Sequence, residues 1–250
     1  MLRYRVIPIV LLDGYSVVKS IQFDIRRNLG NPIVVSRVYN RRNVDELILL
    51  DIDASKENRK IDLHTVSAVA EECFMPLTVG GGLKTESDIS EALSAGADKV
   101  ALNSVIFENP DFLKEAVSIF GSQCIVASID IKKDEAGNYM LYSHAHKEIK
   151  FSLEECLRLL VNSKAGEVLL NNVDLDGKLA GYDCALIKYV SSQVNIPVIA
   201  AGGASSPSDC AQAILSGAQA VAAASIFHFT GITPYNCKEE MSKAGLLVRL

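Results

Sequence analysis

The fold is decided by PLTVGGGLKTESDISEALSAGADKVALNSVIF (76–107), which the chain nearly repeats as PVIAAGGASSPSDCAQAILSGAQAVAAASIFH (197–228). The two stretches align without a gap at an offset of 121 positions. Each consists of an apolar strand, a Gly-Gly pair, a helix with Ser-Asp in its first turn, a Gly-Ala turn and a second apolar strand. An internal repeat of this length is decisive for fold assignment. It predicts two half-proteins, each with a glycine-rich loop at a strand end.

Strand-length apolar runs alternate with amphipathic stretches along the whole chain. Most runs are apolar throughout, as expected of parallel strands that are buried on both faces. With the internal repeat, they predict an α/β fold, a single (β/α)₈ TIM barrel over residues 1–250 formed from a duplicated half-barrel. A hairpin is predicted at 139–151. The predicted strands are 5–12, 46–53, 76–79, 99–104, 124–131, 167–174, 198–201 and 220–227; the predicted helices are 32–42, 61–73, 85–95, 109–119, 153–163, 183–193, 207–216 and 235–244.

Composition restricts the possible partners. The net charge is −5 and there is no Lys/Arg-rich run, which argues against nucleic acid or an anionic membrane. No apolar run approaches the ~20 residues that span a bilayer, and the first residues lack a signal-peptide cleavage site. The six cysteines have no CxxC spacing, which is typical of reduced thiols. We therefore expect a cytoplasmic protein without a cofactor.

The glycine pairs predict two anion sites. In a barrel the active site lies at the carboxyl ends of the strands, where Gly81-Gly82 and Gly202-Gly203 follow the third and seventh strands. Glycines let backbone N–H groups approach an anion, so two related sites suit a ligand with a phosphate at each end. The alternative is that these glycines only turn the chain.

The chain resembles the cyclase subunit of imidazole glycerol phosphate synthase over nearly its whole length. The resemblance implies a duplicated barrel, a bisphosphorylated substrate, and a separate glutaminase subunit that docks at the amino-terminal face and supplies ammonia through the barrel. It also implies an acid and a base, both aspartates, on the first and fifth strands. The segments that carry it are DELILLDIDAS (45–55), VGGGLKTESDI (79–89), AGADKVALNS (95–104), ENPDFLKEAVSIFGSQCIV (108–126), AGEVLLNNVDLDG (165–177), GYD (181–183), PVIAAGGA (197–204), AAASIFHF (222–229) and VRL (248–250).

Carried over by position, the resemblance assigns roles to four groups of residues. The catalytic acid of the fifth strand is Asp130. The phosphate ligands are Gly82, Asn103 and Ser104 on one side, and Asp176, Gly177, Gly203 and Ser225 on the other. Lys19, Asp51 and Asn171 are further active-site residues, and the gate of the ammonia channel comprises Arg5, Glu46, Lys99 and Glu167.

The departures from the family pattern concern the chemistry. Leu11 stands where the first-strand aspartate belongs, and a leucine cannot transfer a proton. Asp13 lies two residues further on, on the same side of an extended strand and about 6–7 Å nearer the mouth. It is therefore the candidate replacement, unless it is a solvated loop carboxylate. Asn171 replaces a family threonine, and segment 143–151 lacks the family's Gly-Arg/Lys-x-x-Thr-Gly.

His144 and His146 alternate on a predicted strand, but no third ligand is visible, so no metal site is predicted. Four functions remain open from the sequence. The first is the histidine-pathway synthase; the second is a paralogue that passes ammonia to another acceptor, such as a sugar nucleotide. The third is a catalytically silent ammonia conduit. The last is the related aldose–ketose isomerase, which also needs an acid near position 11 and whose function would not require the four-charge gate.

Overall fold

The computed structural model describes residues 3–21 and 25–250, in which strands and helices alternate. The strands are β1 (Arg5–Asp13), β2 (Ser16–Ile21), β3 (Ile25–Gly30), β4 (Leu47–Asp51), β5 (Leu77–Gly80), β6 (Lys99–Leu102), β7 (Ile125–Lys133), β8 (Tyr139–Ser143), β9 (Glu148–Ser152), β10 (Glu167–Asn172), β11 (Val198–Ala201) and β12 (Ala220–Ala223). The helices are α1 (Pro32–Arg41), α2 (Leu63–Ala70), α3 (Glu86–Ser94), α4 (Ser104–Glu108), α5 (Phe112–Phe120), α6 (Leu153–Ser163), α7 (Cys184–Gln193), α8 (Pro207–Leu215), α9 (Ser225–Phe229) and α10 (Pro234–Lys243).

Eight of these strands close into a parallel barrel with helices between them. They pair in the order β1–β4–β5–β6–β7–β10–β11–β12, and β12 returns to β1. This confirms the predicted α/β TIM barrel. Two antiparallel hairpins extend it: β2–β3 continues from β1, and β8–β9 continues from β7.

The apolar strands bury both faces, which explains their continuous runs of hydrophobic residues. In β1, Ile7 and Ile9 belong to a small cluster inside the barrel, whereas Val6 and Val10 pack outward in the large cluster between sheet and helices. Six further strands contribute one or two residues each to the inner cluster, several of them alanines. The interior between the two ends of the barrel is therefore mainly apolar.

The two similar stretches make equivalent hydrogen bonds 121 positions apart. Leu77 N donates to Asp98 Oδ2 (2.8 Å), and Val198 N donates to Gln219 Oε1 (2.7 Å). Capping boxes likewise begin α3, between Thr85 and Asp88, and α8, between Ser206 and Asp209. Because β5 and β11 are four strands apart in a ring of eight, their glycine loops lie on opposite sides of the barrel mouth.

The main differences between the structure and the sequence prediction concern the ends of strands and one hairpin. The fourth and eighth barrel strands end at Leu102 and Ala223, earlier than predicted, because short helices begin two residues later. The β2–β3 hairpin was not predicted, whereas the hairpin predicted over 139–151 is confirmed as β8–β9. In the described part of the chain, no helix has the length and apolar character needed to cross a membrane.

Candidate active site

A cavity opens at the carboxyl ends of the barrel strands. Its floor is apolar and includes Ile9, Leu11, Leu50 and Leu169. Its walls come from the loops that follow the strands, so residues far apart in the chain meet there. The predicted site residues that line it are Asp51, Gly82, Asn103, Ser104, Asp130, Asn171, Asp176, Gly177, Gly203 and Ser225.

Asp130 is the central acid of this cavity. It lies on β7 with 8% of its surface exposed. Two amides donate to its carboxylate from neighbouring strands or strand ends: Asn171 Nδ2 to Oδ1 (3.0 Å) and Asn103 Nδ2 to Oδ2 (3.0 Å). Burial raises the pKa of Asp130 to about 6, against the opposing effect of the two hydrogen bonds. A carboxyl group with such a pKa can both accept and donate a proton near neutral pH.

Leu11 occupies the neighbouring part of the cavity, and Asp13 does not. Leu11 packs against the inner apolar cluster, whereas Asp13 is exposed and pairs with Ser16 across the tight turn into β2. Asp13 lines a separate groove together with Glu57 and Arg59. The expectation that Asp13 faces the same space as Asp130 is therefore not met, because β1 leaves the barrel to form a hairpin at this point.

The two glycine loops have equivalent geometry. Gly82 has a φ of 65°, and a Cβ there would lie 1.8 Å from the carbonyl oxygen of Arg59. Gly203 has a φ of 105°, and a Cβ there would lie 2.1 Å from the carbonyl oxygen of Gly181. Each loop is thus pressed against the backbone of a neighbouring loop, and both positions require glycine.

Ser104 and Ser225 begin helices α4 and α9 rather than ending strands. Both face the cavity, on the sides of the first and second glycine loop respectively. Each side of the mouth therefore combines a glycine loop with a serine that opens a short helix. Asp176 and Gly177 add to the side of Gly203.

Asp51 and Lys19 stand at the periphery of the site. The Asp51 carboxylate is fully covered and accepts two hydrogen bonds from Arg59, at 2.5 and 3.2 Å. That contact raises the pKa of Arg59 above its ordinary value, although burial opposes the shift. Lys19 lies outside the cavity lining, with its Nζ 4.0 Å from the centroid of the Phe229 ring, a cation–π contact at the end of α9.

A ring of four charges closes the opposite end of the barrel. Arg5 contacts Glu46 and Glu167, each at 2.5 Å, and Lys99 contacts Glu46 at 3.1 Å and Glu167 at 2.7 Å. Burial alone would lower the pKa of Arg5, but the two carboxylates outweigh it and raise the pKa. For Glu167 the signs are reversed: burial alone would raise the pKa, but Arg5 and Lys99 lower it. The four predicted gate residues therefore form one alternating ring beneath the apolar interior.

The β8–β9 hairpin places a histidine over the mouth that sequence reasoning did not select. His144 and Ala145 line the cavity, whereas His146 is exposed and its Nδ1 lies 2.9 Å from Ser143 Oγ. Both histidines belong to the turn and not to a strand, so the predicted alternation is wrong. No group of three or more metal-ligand side chains comes together among residues 3–21 and 25–250. The available signal was the position of His144 at the tip of a hairpin after the fifth barrel strand.

Fold and site together define a (β/α)₈-barrel protein with an enzyme-like cavity at the carboxyl ends of its strands. The family model described as "Histidine biosynthesis protein" matches residues 5–233. A protein of Campylobacter jejuni with the name "Putative imidazole glycerol phosphate synthase subunit hisF2" is 47% identical over 250 residues, which cover 100% of both chains. The chain belongs to the histidine biosynthesis protein family and is one of its HisF-like members.

Proposed function

We propose that the chain is the ammonia-accepting synthase subunit of a glutamine amidotransferase. The observation that carries the proposal is the ring of Arg5, Glu46, Lys99 and Glu167, which lies beneath an apolar interior that leads to Asp130. Neutral ammonia passes an apolar interior at low cost, whereas a charged ion or a larger polar substrate does not. A gate at one end and a buried acid at the other suit a reaction that consumes ammonia inside the barrel.

The acceptor proposed first carries two phosphates. Support comes from the two glycine loops on opposite sides of the mouth, each with a serine that starts a helix. Among the described residues, no lysine or arginine lines this cavity, so the phosphates would be held mainly by backbone N–H groups and hydroxyls. The acceptor that fits is the bisphosphorylated formimino-carboxamide ribonucleotide of histidine synthesis. Ring closure and cleavage would convert it to imidazole glycerol phosphate and aminoimidazole carboxamide ribonucleotide.

A second candidate is a HisF-like paralogue that passes ammonia to another acceptor, such as a sugar nucleotide, or serves only as a conduit. Leu11 favours it, since an apolar side chain occupies the cavity where a proton-transfer group is expected. The loss of one such group costs about 10²–10⁴-fold in rate. On this candidate the gate and docking face are kept while the chemistry at the mouth has changed.

The proposed partner is a separate glutaminase subunit that docks around the gate. Large apolar side chains are exposed at this amino-terminal face: Phe74, between α2 and β5, is 89% exposed, and Leu215, at the end of α8, is 66% exposed. Both side chains would be available to a partner that docks at this face. We expect a 1:1 complex and no glutaminase activity in the isolated chain.

Turnover with ammonium salt separates the two candidates. The purified chain is incubated with the histidine-pathway bisphosphate and ammonium chloride, and imidazole glycerol phosphate is measured. Slow formation supports the first candidate; its absence, together with failure to rescue a histidine auxotroph that lacks its cyclase, supports the second. Release of ammonia from glutamine by the isolated chain would contradict the division of labour in both.

A further inference from the structure

Four titratable side chains line the mouth cavity within the described part of the chain: Asp51, Asp130, His144 and Asp176. The Asp51 carboxylate is covered and paired with Arg59. Asp176 lies in the loop after β10, next to Gly177 on one proposed phosphate side. Asp130, with its raised pKa, and the imidazole of His144 are the side chains whose chemistry suits proton exchange near neutral pH.

The β8–β9 hairpin follows β7 and places His144 in the lining of the cavity that Asp130 also lines. β8 runs antiparallel to β7, with Ile131 opposite Leu141. The ladder between β7 and β8 ends at this pair, and a register irregularity follows between Leu141 and Tyr142 in the pairing of β8 with β9. Tyr142 lies near Asp130, since burial and the charge of Asp130 both raise the pKa of Tyr142. Lys132 Nζ is 5.1 Å from the Tyr142 ring and is the cation next to this pair.

We infer that His144 is the second proton-transfer group of this cavity and works with Asp130 in place of an acid on the first strand. The inference rests on the proposed function for its substrate, an ammonia acceptor, but its geometry does not depend on which acceptor is used. An imidazole on a hairpin tip faces the ligand from above, whereas a first-strand acid would face it from the barrel floor occupied by Leu11.

Two proton-transfer groups are what ammonia addition requires. When ammonia adds to a carbonyl carbon, a C–N bond forms and the C=O double bond opens to an alkoxide. Loss of water then gives C=NH, so that overall two protons leave nitrogen and two reach the departing oxygen. A neutral imidazole can take protons from nitrogen while a protonated carboxyl supplies them to oxygen, and exchange between the two groups restores both.

The first test is a histidine NMR titration of the free protein, which needs no substrate. Replacing Asp130 by Asn should lower the pKa of His144 by roughly one unit, since a nearby negative charge is removed. His144→Gln identifies the His144 signal. His146, two residues away and exposed, and His64, exposed on α2, are the internal controls, and their signals should be the same in both proteins. An unchanged His144 pKa in Asp130→Asn would overturn the inference.

The second test is turnover with ammonium chloride and the histidine-pathway bisphosphate. His144→Gln should lower kcat by about 10²–10⁴-fold and leave KM nearly unchanged, whereas the matched variant His146→Gln and Asp13→Asn should stay close to the unmodified chain. Equal kcat in His144→Gln and His146→Gln would overturn the inference. If the unmodified chain has no turnover, the histidine-pathway candidate fails, and the NMR titration alone decides whether His144 and Asp130 are coupled.

Discussion

At the scale of single residues, the site depends on how one buried carboxylate is held. Asp130 receives two amide donors, one of them from Asn171, 41 residues further along the chain. The sequence could identify Asp130 and Asn171 as site residues by resemblance, but not that they touch. Nor could it place His144 above the cavity and Asp13 outside it, because both positions depend on where strands leave the barrel.

Asp130 should make the stability of the protein depend on pH. Its pKa of about 6 in the folded chain lies above its ordinary value of 3.8, so the folded state binds the proton more tightly. Stability therefore falls as pH rises through this window and stays lower above it. The difference between these two pKa values corresponds to roughly 3 kcal/mol in the free energy of unfolding.

The Asp130→Asn variant cannot ionise and should lack this fall. Urea unfolding at pH 4 and pH 7 should give a stability difference between variant and parent that shifts by roughly 2 kcal/mol in favour of the variant at pH 7, because pH 4 already lies slightly above the ordinary pKa. Glu135→Gln, at an exposed turn position, is the control and should show no such shift. An equal difference at both pH values would mean that Asp130 is not penalised by burial.

Restoring an acid at position 11 should raise the cyclase rate. Leu11→Asp puts a carboxylate on the cavity floor, where it can assist Asp130, and we expect a gain of up to about 10²-fold in turnover with ammonium chloride. Leu50→Asp is the matched control, because Leu50 is the register partner of Leu11 and lines the same cavity from β4. An equal gain in both variants would reflect added charge alone.

At the scale of elements, sequence patterns predicted what depends on local burial. Each barrel strand is a buried apolar run, and each helix has its own amphipathic face, so both are readable without the tertiary structure. The β2–β3 hairpin was not recognised from the sequence, because its strands contain charged and polar residues and their pairing with β1 and with each other depends on the tertiary structure. The strand predicted over 220–227 was too long because AVAA and SIFHF are both apolar, and only the backbone turn at Ala224 separates strand from helix.

Adding a single methyl group should lower the free energy of unfolding most at the two glycine loops. In Gly82→Ala and Gly203→Ala, the new Cβ would collide with the Arg59 or Gly181 carbonyl oxygen, in a backbone conformation that already disfavours alanine. We expect each to lose about 1–3 kcal/mol in the free energy of unfolding, or more. For the same reason, acidic substitutions at Gly82 or Gly203 would test packing as well as anion binding.

Gly137→Ala separates the contribution of the backbone conformation from that of the collision with a neighbouring loop. Gly137 also has a positive φ, 87°, but a Cβ there meets nothing within 4 Å. Its loss in urea unfolding should therefore be smaller than that of either loop variant, since it reports backbone strain alone. If all three variants lose the same amount, the contacts of the glycine loops with their neighbours contribute nothing.

At the scale of the whole molecule, the barrel has two chemically different ends joined by an apolar interior. The charge ring at the amino-terminal face combines residues from four strands or strand starts, up to 162 positions apart. The resemblance named all four residues, but only the closed barrel makes them a ring. The single-domain prediction and the partner remain predictions.

The ring should be energetically coupled. Removing one charge, as in Glu167→Gln, leaves Arg5 and Lys99 with one carboxylate and should cost about 1–3 kcal/mol, less than the 3–5 kcal/mol of a fully buried pair because the ring is partly exposed. The pKa of Glu167 is lowered by Arg5 and Lys99, so its contribution should disappear as pH falls through that lowered pKa.

A double-mutant cycle of Arg5→Met with Glu167→Gln, measured by urea unfolding, gives the coupling directly. The same cycle on Arg37 of α1 and Glu72 in the turn after α2, an ion pair with 48% and 29% exposed side chains, is the control and should give less than about 1 kcal/mol. Equal coupling energies in the two cycles would contradict the expectation that the ring is more strongly coupled than an exposed ion pair.

Passage of ammonia through the barrel to the mouth can be tested by isotope transfer. The chain is combined with the proposed glutaminase subunit, the bisphosphate acceptor, glutamine labelled with ¹⁵N in the amide and an excess of unlabelled ammonium chloride, and the product is analysed by mass spectrometry. We expect that the new imidazole nitrogen is mainly ¹⁵N, and that Leu11→Asp increases the amount of product without changing this fraction. A product whose nitrogen matches the unlabelled ammonium in solution would contradict this expectation.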